Sequence, residues 1–296
     1  MAWVYIGVIL CMRVVQSVFN KRAAVSIPKR ADLYVRHSAY RQIVAFLLAA
    51  AFLLIESLVR HTSVERIGAT VAYASLSGVC LSLSLLCGLY AIRHSTLALT
   101  SFFGTAGLLV PTVISAVFYE ERFGVWQIIA FAALLASVWL LVGGDKRRRP
   151  VSWKTLLALL AISLLEGGTM LAQKLFGMNV SNGNVSAFTA MQFLIAAVLS
   201  AFALLFFPKR PKDTIEQLPP RSYLYGFFLA AAVFVISQLA TLTTPLLPAV
   251  LLFAIINGGA TLIAALVDTV LYGEKLTCQG ILGLLLGIGA LIMMKG

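Results

Sequence analysis

Charge is scarce in this chain. Asp, Glu, Lys and Arg together make up 11% of the 296 residues, and only 11 of them are acidic. That is too little to clothe a water-soluble globular domain, where about a quarter of residues are charged. Cysteine is also sparse. Cys11, Cys80, Cys87 and Cys278 lie in or beside apolar runs with no Cys-x-x-Cys spacing, so neither a disulfide framework nor a metal site is indicated. The histidines, His37, His61 and His94, all fall near the ends of apolar runs. They form no metal set and no Ser-His-Asp arrangement, which argues against a membrane-embedded enzyme. No metal, cofactor or catalytic residue is expected. The phosphate-cradling glycine loop of ATP-driven machines is missing. A basic region ahead of the first apolar run and a cleavage pattern after it are missing too, so that run is read as a retained helix.

Apolar side chains dominate: 60% of residues are hydrophobic and the mean hydropathy is +0.96. A helix crosses the hydrocarbon core in about 20 apolar residues, and helices satisfy their own backbone polar groups there. The runs predict ten helices, at 3–20, 39–58, 68–91, 96–118, 124–143, 152–175, 185–207, 223–243, 249–272 and 277–294. The expected fold is therefore an all-α membrane protein with ten transmembrane helices. The net charge of +12 collects in the gaps between apolar runs, the footprint of membrane topology and not of nucleic-acid binding. Expected partners are the lipid bilayer and a small-molecule substrate, with the chain a monomer or homodimer and no nucleic acid bound.

A shift of 153 positions carries Asn20-Lys21 onto Gln173-Lys174 and Tyr119-x-Glu121-Arg122 onto Tyr272-x-Glu274-Lys275. This divides the chain into two five-helix repeats, 1–148 and 149–296. Five is odd, so the second copy enters the membrane from the opposite side and the repeats are inverted. Inverted repeats with a site at their shared interface are an architecture of secondary transporters.

The five-plus-five pattern, a helix opening near Arg41, the turn Tyr90-Ala91-Ile92-Arg93-His94-Ser95-Thr96-Leu97-Ala98-Leu99, Pro111 and Gly273-Glu274-Lys275 resemble the drug/metabolite transporter superfamily in its EamA-like ten-helix branch. The Glu166 to Lys174 spacing also resembles the first helix of the four-helix small multidrug resistance exporters. There the glutamate alternately holds protons and cationic substrate, a role the resemblance assigns to Glu166. The first repeat departs from that pattern by having Arg13 at the matching position.

Glu166 stands in the middle of an apolar run, and an ionisable group at bilayer depth is a site hypothesis by default. It is read as a proton-coupling or substrate-binding carboxylate, the alternative being a structural ion pair with Arg13. Gln16, Gln238 and Asn257 are candidates for lining the same site, although most such residues hydrogen-bond between helices. Asp268 either lines the cavity or approaches the interface. Arg13 favours a carboxylate or phosphate and Glu166 an amine, so a zwitterion such as an amino acid suits both.

The expected activity is secondary transport of a small organic metabolite or drug, as a proton-coupled exporter in the bacterial inner (cell) membrane. The alternative is an uncoupled facilitator or exchanger of amino-acid-like metabolites. Of the basic residues, 17 sort to the odd-numbered loops and 5 to the opposite side, which predicts cytoplasmic odd loops and both termini outside. The resemblance implies the reverse orientation.

Overall fold

The computed structural model describes residues 1–28, 30–60, 66–95, 97–119, 124–143, 152–180, 183–206, 218–273 and 277–293. Among them helix is the only extended regular structure. In chain order the helices are α1 (Ala2–Ser26), α2 (Ala31–Arg60), α3 (Ile67–His94), α4 (Leu97–Ala106), α5 (Leu109–Phe118), α6 (Val125–Gly143), α7 (Trp153–Asn179), α8 (Val185–Ala203), α9 (Pro220–Thr243), α10 (Ala249–Phe253), α11 (Gly259–Tyr272) and α12 (Cys278–Met293). Among the described residues seven spans are long and apolar enough to cross a bilayer: Ala2–Ala23, Asp32–Arg60, Ile67–Gly88, Trp153–Asn179, Val185–Phe206, Pro220–Thr243 and Ala249–Val267. The other three apolar stretches, Phe102–Phe118, Val125–Leu141 and Cys278–Met293, are shorter. The chain is an integral membrane protein on these lengths.

Local chemistry sets the helix ends. Ser152 Oγ accepts from the Thr155 amide at the start of α7, and Asn184 Oδ1 accepts from the Ala187 amide at the start of α8. Pro220 occupies the first position of α9, where its missing N–H would have had no partner. The first connection is shorter than the sequence suggests. α1 continues to Ser26 and α2 opens at Ala31, not near Arg41, because Leu33 packs with Ala23, Ile27, Leu218 and Leu229 in a buried cluster. Asp32 in the first turn of α2 pairs with Arg30 at 2.8 Å.

The fourth and ninth predicted helices are both interrupted. α4 and α5 are separated at Gly107-Leu108, one turn ahead of Pro111, whose missing N–H leaves the Gly107 carbonyl to the Val110 amide at 3.0 Å. A π-helical turn, Ala254–Gly258, separates α10 from α11.

α3 packs along α7, α1 along α9, α2 along α8 and α6 along α12. Small residues permit these approaches: Ala45, Ala49, Ala190 and Ala230 are buried together between α2, α8 and α9, and a Cβ on Gly283 of α12 would meet the Ser137 carbonyl of α6 at 2.8 Å.

Candidate functional site

Glu166 reaches the interior because α7 is stripped of bulk beside it. A Cβ on Gly167 would run into the Gly107 carbonyl and, at 2.6 Å, into Val110, while one on Gly168 would meet Cys80 Sγ at 2.8 Å. Backbone therefore touches backbone where α7 crosses the α4–α5 break, and α3 closes against the next residue. Glu166, Thr169 and Gln173 follow at helical spacing and face a common cavity. Glu166 Oε1 accepts a hydrogen bond from Ser84 Oγ of α3 at 2.8 Å. Among the described residues the carboxylate has no second hydrogen bond.

Arg13 faces Glu166 from α1 without touching it. Its guanidinium donates to Gln16 Oε1 at 2.8 Å and to Asn257 Oδ1 at 3.1 Å, and among the described residues no ion pair joins Arg13 to Glu166. The structural ion pair is therefore not formed, although the two charges act on one another across the cavity. Asn257 belongs to the π-helical turn, and its Nδ2 donates to the Phe253 carbonyl at 3.2 Å and lies 3.5 Å from Met170 Sδ. A π turn re-aims a side chain out of ordinary helical phase, and such turns recur at functional sites.

Two cavities meet at these residues. One, of about 240 Å³, extends among Arg41, Gln42, Ser84, Gln173, Gln192 and Ser237. The other, of about 270 Å³, extends among Ser17, Asn20, Thr105, Thr261 and Ala264. Arg13, Gln16, Glu166 and Asn257 border both, so they stand between the two spaces. Apart from the interrupted α4 and π-turn segments, the cavity walls are ordinary helix, the rigid support that a positioned site needs.

Four of the six expected site residues, Glu166, Arg13, Gln16 and Asn257, are thus brought together. Gln238 is not with them. It is buried on a different face of α9, where its Nε2 donates to Ser186 Oγ at 2.8 Å, and Ser186 in turn donates to Glu56. Its neighbour Ser237 lines the cavity and accepts from Gln173 Nε2 at 3.0 Å. Asp268 lies in α11, but its side chain is outside the described residues.

Sequence reasoning missed Arg41 and Gln42, which it placed at the mouth of α2, and Ser84, which carries no charge. Lys174 is one of the five basic residues that the charge count sorts to the side opposite the odd-numbered loops. It is 2% exposed, and its Nζ donates to the Thr244 and Leu247 carbonyls, each at 3.0 Å. The reason lies in the Thr244–Pro248 turn, where Pro248 has no N–H to offer the Thr244 carbonyl one turn back, and the ammonium takes that place. No group of three or more metal-ligating side chains occurs among the described residues.

No family model and no curated protein matches the chain. A solved structure described as "Crystal structure of protein" is similar to it, with a TM-score of 0.77 over 99% of this chain and 95% of that one, at 15% identity. At that identity the likeness shows a shared fold and nothing of activity.

Proposed function

We propose that this protein is a secondary transporter of a small organic metabolite or drug, a proton-coupled exporter of ten helices in two inverted five-helix repeats, as in the EamA-like drug/metabolite transporters it resembles. The observation that carries the reading is a carboxylate, Glu166, the only one among the described residues that borders two cavities meeting at mid-helix. A group reachable from both spaces can exchange a proton or a substrate with either side in turn, as alternating access requires.

The packing pattern supports the inverted repeat. Exchanging the halves by 153 positions turns the α1–α9 contact into the α7–α3 contact and returns α2–α8 and α6–α12 to themselves, as a two-fold axis would. The same shift relates Ser84 to Ser237 and Arg13 to Glu166, and all four border the Arg41 cavity. Two similar halves around one site give two packings of comparable energy, one open to each side.

The test is pH-driven flux into liposomes holding the purified chain, measured as electrical current over a panel of small acids, amines and zwitterions. Wild type carries current driven by a pH gradient, and Glu166→Gln abolishes it with the fold intact. Gradient-driven flux that persists in Glu166→Gln would overturn proton coupling through this residue. The second reading, an uncoupled facilitator or exchanger, is favoured by Arg13 holding a fixed charge beside the carboxylate. It predicts substrate flux that is indifferent to the pH gradient in both proteins.

A further inference from the structure

Arg41 is a guanidinium in an apolar bundle that forms no hydrogen bond or ion pair among the described residues. It lines the 240 Å³ cavity, its Nε is buried without a hydrogen-bond partner, and among the described residues no carboxylate pairs with it. His37, one turn earlier, is buried with both ring nitrogens unpartnered and does not serve it. Gln42, 5% exposed, lines the same cavity, and none of the hydrogen bonds formed by the described side chains involves it. A buried side chain with an unspent amide and a half-buried guanidinium with an unspent Nε, both lining one cavity from one helix, make a donor pair.

The charges around the cavity do not balance. Arg13 and Glu166 oppose one another, and the two terminal nitrogens of Arg13 are committed to Gln16 and Asn257, although its Nε, like that of Arg41, is buried without a partner. Arg41 is left as the uncompensated charge. A buried guanidinium without a counter-charge is expensive, and an oxyanion that its fork can grip relieves that expense.

We infer that Arg41 and Gln42 form an anion subsite of the cavity, and that the molecule bound there is a small organic acid whose carboxylate or phosphate lies on Arg41. Within the transporter reading, on which it rests for treating the bound molecule as cargo, this assigns the acid group to Arg41 and leaves Glu166 free for the coupling proton or for an amine. Arg13 becomes a positioning residue, turned toward Gln16 and Asn257.

The experiment measures thermal stabilisation of the purified full chain in detergent. The probes are matched by skeleton: 4-methylpentanoate, leucine, leucinamide and isoamyl phosphate, extended to a panel of small mono- and dicarboxylates, phosphate esters and their amides. Acids stabilise the wild type and their amides do not, and the carboxylate and phosphate arms tell which oxyanion is preferred. Arg41→Gln weakens the best acid on the order of 10- to 100-fold, Arg41→Lys retains part of that affinity, and Gln42→Ala loses less than Arg41→Gln. A panel in which no acid binds overturns the proposal, as does equal binding of acid and amide or undiminished binding in both Arg41 variants. Flux separates the two readings. Arg41-dependent acid binding without flux in liposomes keeps the subsite and sinks the transporter, whereas pH-driven flux confined to amines does the opposite.

Discussion

Glu166 and Lys174 stand two turns apart on α7, both withdrawn from bulk water, and their surroundings differ. Lys174 is closed in, its ammonium directed onto the Thr244 and Leu247 carbonyls of a proline-broken turn. That turn is held further by Thr244 Oγ1, which donates to the Thr241 carbonyl at 2.7 Å, and by Gly177, where a Cβ would collide with Thr244. Among the described residues Glu166 has one hydrogen bond, from Ser84, and it has open space on two sides. A buried charge with its bonds directed onto backbone serves the fold, while one with unspent capacity facing a cavity is available to a ligand or a proton.

The sharpest break of this contrast is Lys174→Met, which strips the buried Thr244 carbonyl and the partly buried Leu247 carbonyl of this donor. It should lower stability by about 2 to 5 kcal/mol, where Glu166→Gln changes it by less than about 1 kcal/mol. Unfolding by detergent titration measures both, and an unharmed Lys174→Met would erase the distinction. Next in size is Gly167→Ala. A methyl there is driven against the Gly107 carbonyl and Val110, and the overpacking should cost about 1 to 3 kcal/mol, measured in the same titration. Ser84→Ala removes the one hydrogen bond of Glu166, and we expect flux to fall roughly tenfold with stability changed by less than about 1 kcal/mol. Equal flux in that variant would mean that Ser84 does not position the carboxylate. The smallest effect belongs to Gln238→Ala, which should lose about 1 kcal/mol of stability and none of the flux, since Gln238 serves Ser186 and not the cavity.

Much of the fold was legible because long apolar runs leave the backbone no alternative to helix. Pro111 announced trouble in the fourth segment, yet the break falls at Gly107-Leu108, since a proline frees the carbonyl one turn before it. The π-helical turn at Ala254–Gly258 left no mark in composition. Site residues were legible where a polar group interrupts an apolar run, as at Arg13, Gln16, Glu166 and Asn257. Arg41 was not, because Arg36, His37 and Arg41 together look like a water-exposed loop until Leu33 is seen packed into the interior. Gln238 and Ser237 differ by about 100° around one helix, and hydropathy does not give the absolute phase of a helix that is apolar all round.

The placement of Arg13 between the two cavities has an electrical consequence. A sodium ion entering either space meets a fixed positive charge beside the Glu166 carboxylate, at the one place where the spaces adjoin, and pores use such fixed charge to repel cations. Within the transporter reading proposed above, that guanidinium, held by Gln16 and Asn257, raises the barrier to a sodium ion that the carboxylate alone would attract.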